Sequence, residues 1–125
     1  MYKLFLIIGA ASAAIAVMIG AFGAHALKDT LEASQRLDTF ETAVKYQFYH
    51  SFALLILGIL MMKTNHNLFN ISGYSFIVGI ILFSGSLYVL SLTGITKLGA
   101  ITPLGGLAFI IGWGSLILGI VKGIK

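Results

Sequence analysis

The four acidic residues of this chain, Asp29, Glu32, Asp38 and Glu41, lie in one short window between two long apolar stretches, and no acid follows before Lys125. Charge segregates in this way when the solvent is a bilayer, because ionised groups are expelled from the spans and gather where the chain meets water. Composition agrees: 58% of the residues are hydrophobic and 10% charged, against about 25% charged in a soluble domain. A soluble fold of 125 residues has too little interior to hide that much apolar surface. The chain is therefore read as an all-α integral membrane protein.

Four runs carry no charge: Leu4–Leu27, Tyr46–Met62, Thr64–Thr96 and Leu98–Val121. A helix needs about 20 apolar residues to cross the hydrocarbon. Asn65, Asn67 and Asn70 mark a loop at the head of the third run. The expected spans are residues 4–24, 46–62, 71–93 and 103–121, forming one four-helix domain. A barrel is excluded, since the runs are continuously apolar and four strands cannot close. Ala24-His25-Ala26 imitates a signal-peptide cleavage site, but the apolar stretch before it exceeds a signal sequence's core of about 7–15 residues, so it is read as a span.

Small residues recur on two helices. Gly9, Ala13, Ala16, Gly20 and Ala24 share one face of the first span, and Gly105, Ala108, Gly112, Ser115 and Gly119 one face of the fourth. Lipid gives helices no hydrophobic reason to associate, so close approach through small residues is the expected packing device. Residues 27–37 form a short amphipathic interfacial segment, with Leu27 and Leu31 directed at the membrane boundary and a Lys28–Glu32 pair one turn apart. Asp38 is placed to cap the next helix, with Glu41 completing a capping box and also pairing with Lys45. Thr102 before Pro103 suits an N-cap followed by the first helical residue. The connection 94–101, whose only charge is Lys97, is expected against the interface or folded inward.

With alternating spans, the polar side chains in or near the membrane converge at one end. His25 closes the first span; Gln47, His50 and Ser51 open the second; Ser84, Tyr88 and Ser91 line one face of the third. His25, Glu41, Gln47, His50, Ser84, Tyr88 and Ser91 thus outline a candidate polar pocket near one membrane face. His50 lies about 7.5 Å below Lys45 and needs a partner there, with Tyr88, Ser84 or a backbone carbonyl in reach. Trp113 is expected to pack. His25, His50 and Glu41 have the chemistry to ligate a first-row metal but share no ligand spacing, so neither metal nor cofactor is expected. No acid lies deep enough to orient a catalytic histidine. The absence of cysteine excludes thiolate chemistry, and the scattered cations argue against nucleic acid.

Gly20-Ala21-Phe22-Gly23-Ala24-His25, Thr42-Ala43-Val44-Lys45-Tyr46-Gln47 with His50, Leu82-Phe83-Ser84-Gly85-Ser86-Leu87-Tyr88, and Ile101-Thr102-Pro103-Leu104-Gly105-Gly106 with Gly112-Trp113 resemble the YwdK/YgdD-type small bacterial membrane proteins. The match runs over nearly the whole chain, with Ala26 where glycine is more usual. That uncharacterised family implies a four-helix protein of the inner membrane, and no activity or binding residue. The expected role is non-enzymatic, through contact with membrane lipid, a second copy or another membrane protein. The alternative is a small-solute or ion transporter or channel, with a membrane enzyme third. Lys3, Lys63, Lys122 and Lys125 fall on one side and Lys28, Arg36, Lys45 and Lys97 on the other. The tie is resolved towards cytoplasmic termini, because the first set has no acidic neighbours.

Overall fold

A chain in hydrocarbon must satisfy every backbone donor and acceptor within itself, which leaves the helix as the form for each apolar run. The computed structural model describes residues 1–125 and is helical almost throughout. Helices α1 (Tyr2–Ala24), α2 (Lys28–Ala33) and α3 (Leu37–Met61) are followed by α4 (Asn67–Gly79), a π-helical turn (Ile80–Ser84) and α5 (Gly85–Thr93). A 3₁₀ turn (Thr96–Ala100) then leads into α6 (Thr102–Gly123). Four helices are long and apolar enough to cross a membrane: Tyr2–Ala24, Leu37–Met61, Asn67–Thr93 and Thr96–Gly123.

Helix α1 packs on α3, and α4 packs on α6, with α3 also meeting α4, the π turn and α5. That central position matches the sequence. Helix α3 has the lowest mean hydropathy of the four, 1.3, and the largest buried share, 44%. The span that carries the most polar side chains is the one most sheltered from lipid. The core runs through Phe5, Leu54, Leu57, Phe69, Phe76, Phe109 and Leu116.

Five phenylalanines set the helix spacing, each with its ring in the space that a Cβ on a neighbouring helix would need. Phe5 sits over Gly73, Phe40 over Gly23, Phe69 over Gly119, Phe76 over Gly112 and Phe109 over Gly79. Gly23, Gly73, Gly79, Gly112 and Gly119 are thus sockets for rings, whereas Gly9 and Gly105 let helices approach closely, a Cβ there meeting the Ser51 carbonyl oxygen and the Phe83 backbone. Helix α1 buries Phe5, Gly9, Ser12, Ala16 and Gly23. Relative to the expected face it is turned slightly: Gly9 and Ala16 are buried, Ala13 and Gly20 half-buried, and Ala24 exposed. Helix α6 buries Gly105, Phe109, Gly112, Leu116 and Gly119, with Ala108 and Ser115 half-buried at its edge.

Several local expectations are corrected. Leu31 is fully buried, so α2 points it into the bundle rather than at the membrane boundary. Helix α2 ends in a Schellman motif. The Arg36 amide donates to the Leu31 carbonyl at 2.8 Å and the Gln35 amide to the Glu32 carbonyl at 3.0 Å, with Gln35 left-handed at φ 59°. Helix α3 then starts at Leu37 without a side-chain cap; Asp38 lies inside its first turn, where its charge complements the helix dipole. Asn67 and Asn70 are already helical, and His66 caps α4 by accepting from the Leu68 amide at 3.1 Å. Thr102 does not cap α6; its hydroxyl lies 2.6 Å from that of Ser86 and joins α6 to α5. The 3₁₀ turn buries none of its residues, so it does not fold inward.

Candidate functional site: a polar network behind an apolar groove

Helix α3 projects Gln47, His50 and Ser51 inward, all at most 4% exposed. The Gln47 amide bridges two neighbours. Its Nε2 donates to the Ser12 carbonyl at 3.0 Å and lies 3.3 Å from Ser12 Oγ, while its Oε1 accepts from the Tyr88 hydroxyl at 2.5 Å. Ser51 Oγ is 2.6 Å from the Gln47 carbonyl oxygen and 2.7 Å from Ser12 Oγ. The Ser51 hydroxyl is the donor in both contacts, its single hydrogen shared between the Gln47 carbonyl and Ser12 Oγ. The network Tyr88–Gln47–Ser12–Ser51 therefore ties α5, α3 and α1 together.

His50 forms a second centre. Its Nδ1 lies 2.8 Å from the Tyr46 carbonyl, and its Nε2 accepts from the Trp113 indole at 3.1 Å. The imidazole stacks on Phe109 at 3.5 Å between ring centroids and 7° between planes, with Phe76 at 5.5 Å. Of the partners expected for His50, a backbone carbonyl, that of Tyr46 in its own helix, is present and Tyr88 and Ser84 are not; the bond from Trp113 fastens α3 to α6. Trp113 packs edge-on to Phe76 but also supplies that indole donor.

The other candidate residues disperse. Ser84 is fully buried and donates to the Ala43 carbonyl at 2.7 Å, fixing the π turn against α3. Ser91 donates to Leu87 in its own helix. His25 is exposed, because the chain turns away after α1 with φ −124° and ψ −83°. Glu41 is exposed at a separate cleft of about 170 Å³, with Lys45, Gly20, Gly23 and Phe40. No three His, Asp or Glu side chains gather closely enough to hold a metal. The polar centres also lie deeper than expected, since Ser12 and Trp113 stand midway along α1 and α6. Ser12 escaped the sequence reading, although it is the only serine or threonine within α1.

Behind the Tyr88 ring the surface is apolar. Ile19, Phe22, Leu27, Phe40, Tyr88 and Leu92 line a groove of about 210 Å³ between the end of α1 and α5. Phe40, edge-on to Tyr88 at 5.4 Å, separates this groove from the Glu41–Lys45 cleft.

The family described as "Protein of unknown function (DUF423)" matches residues 19–106. Among similar proteins, the UPF0382 membrane protein SSP2132 of Staphylococcus saprophyticus is 48% identical over 120 residues, covering 96% of this chain and 98% of the relative. SAB0533 of Staphylococcus aureus is 50% identical, covering 96% and 97%. YwdK of Bacillus subtilis is 45% identical over 121 residues, covering 96% and 98%. No solved structure matches. Four candidate spans and full-length similarity to proteins named as membrane proteins lead to one conclusion: this chain is a member of the DUF423, or UPF0382, family of membrane proteins.

Proposed function

We propose that the protein is a non-enzymatic module of the cell membrane that acts by holding lipid, with the groove beside Tyr88 as the seat of an acyl chain. The observation that carries this reading is the double use of Tyr88. Its ring is a wall of the groove, while its hydroxyl is fixed by Gln47. The buried polar network thereby sets the shape of a surface that faces lipid. An apolar groove open to hydrocarbon does not hold water, because water needs polar partners there; a methylene chain is the occupant at hand. Phe22 and Leu92, 59% and 55% exposed, leave the groove accessible from the side. Catalysis gains no support, since Gln47, His50 and Ser51 are each engaged by protein partners. Transport would require the Tyr88–Gln47–Ser12–Ser51 chain to open.

Both termini are placed in the cytoplasm, because Lys3, Lys63, Lys122 and Lys125 face that side without a neighbouring acid. The chain has no cysteine, so single cysteines introduced at Lys97 and Lys125 would be labelled from opposite sides.

The decisive experiment is native mass spectrometry of protein released gently from its membrane. Retained phospholipid is expected, and Leu92→Trp, which fills the groove, should reduce it while the fold persists. Solute flux in proteoliposomes that is lost in Tyr88→Phe would instead establish transport and sink the lipid reading.

A further inference from the structure

The formal charge of +4 resides entirely at the end of the bundle opposite the groove. Lys28, Arg36, Lys45 and Lys97 are balanced by the four acids at their own end, whereas Lys3, Lys63, Lys122 and Lys125 meet no acidic side chain at theirs. Two of these lysines line one cleft. Lys63, in the turn after α3, and Lys125, beyond α6, lie with Leu60, Thr64, Gly123 and Ile124 around a space of about 520 Å³. The walls are joined by a hydrogen bond from the Thr64 hydroxyl to the Gly123 carbonyl at 2.9 Å. Both lysines are exposed, and Leu60 and Ile124 supply apolar surface between them.

The geometry points to a seat for the phosphodiester of an anionic phospholipid such as phosphatidylglycerol. Two ammonium groups from separate elements converge on the anion, and the apolar side chains of the cleft meet the glycerol and first methylenes. Lysine near a membrane surface gains from anionic lipid, and a cationic end without acidic side chains concentrates that attraction in one leaflet. Lysines near helix C-termini also complement the dipole. That role stabilises the fold without any choice between lipids, which separates it from the present one. The inference is independent of the acyl groove at the other end.

The test uses full-length protein in bilayers of phosphatidylglycerol and phosphatidylcholine in equal amounts, extracted mildly, with bound lipids counted by native mass spectrometry. Phosphatidylglycerol should be enriched on the protein. Lys63→Ala with Lys125→Ala should weaken its binding about thirtyfold, taking the usual gain per surface lysine. Lys28→Ala with Lys45→Ala should leave it unchanged. Equal retention of both lipids, or the same loss with either pair, would overturn the assignment. Inorganic phosphate that displaces the lipid at comparable concentration would overturn the choice of a lipid ligand. If the first double variant does not fold, the unaltered protein gives the answer: enrichment must fall with added salt, and salt-independent enrichment rejects the site.

Discussion

The Trp113 indole donates to His50 Nε2 across 3.1 Å, while His50 Nδ1 lies 2.8 Å from the Tyr46 carbonyl. An indole N–H has no lone pair to offer and a carbonyl has no hydrogen. The proton therefore resides on Nδ1, and both ring nitrogens of neutral His50 are satisfied. Nitrogen shifts of the labelled imidazole should report the Nδ1–H tautomer. Trp113→Phe keeps the aromatic contact with Phe76 but strands Nε2, and should cost about 1–3 kcal/mol in unfolding experiments in detergent. No change in stability and an Nε2–H tautomer would refute this geometry.

Tyr88→Phe removes one hydrogen bond to Gln47 and preserves the ring that lines the groove. Interhelical bonds of this type are worth about 0.6 kcal/mol on average and up to about 1.7 kcal/mol, so a loss in that range is expected. Gln47→Leu removes the hub, strands Tyr88 and reduces the partners of Ser12. It should destabilise more than Tyr88→Phe, and the difference can be read from thermal midpoints of the two variants.

Gly112 and Gly114 are two residues apart and should respond oppositely to alanine. A Cβ at 112 would fall 2.6 Å from Cδ1 of Phe76, whereas one at 114 meets nothing within 4 Å. Gly112→Ala should therefore cost about 1–3 kcal/mol through overpacking. Gly114→Ala should be neutral or stabilising by up to about 1 kcal/mol, as glycine gives way to a better helix former. Equal effects at the two sites would show that Phe76 is not seated on α6 as described.

Gln35 holds a left-handed conformation at φ 59° in the turn that closes α2. A side chain there costs roughly 1–2 kcal/mol relative to glycine, partly offset by the greater freedom of glycine in the unfolded chain. Gln35→Gly should raise the unfolding midpoint modestly, provided the Arg36-to-Leu31 and Gln35-to-Glu32 bonds persist.

The four spans were legible because exclusion of charge from hydrocarbon leaves a strong, one-dimensional mark, and Gly112 and Gly119 were legible as packing positions through their helical spacing, whereas the sockets at Gly23, Gly73 and Gly79 were not. Gln47, His50 and Tyr88 were likewise marked by polarity in apolar surroundings. Their partners were not. Whether His50 meets Tyr88 or Trp113 depends on the rotation of α3 and α6 about their axes, which a periodicity of 3.6 leaves open to within a neighbouring face. Ser12 gave little signal among alanines, because a serine in an apolar helix can bond to its own backbone. His25 closes α1 as expected but stays exposed, because the direction in which a chain leaves a helix is set by backbone angles that its residue type does not reveal. The amphipathic pattern around Leu31 is too short to define its own core side, and the structure buries that side chain in the bundle.

The π turn at Ile80–Ser84 has a consequence for length variation. Such a turn widens an α-helix by one residue while leaving the phase of the later turns nearly intact. The span Asn67–Thr93 thus contains a spare position, and its place is known. Excising Ile81, which is 63% exposed, should let the turn relax to an ordinary helix with Tyr88 still reaching Gln47. Excising a residue within α5 ahead of Tyr88 has no such slack to absorb it and would swing that hydroxyl by about 100°, out of the protein and into oil.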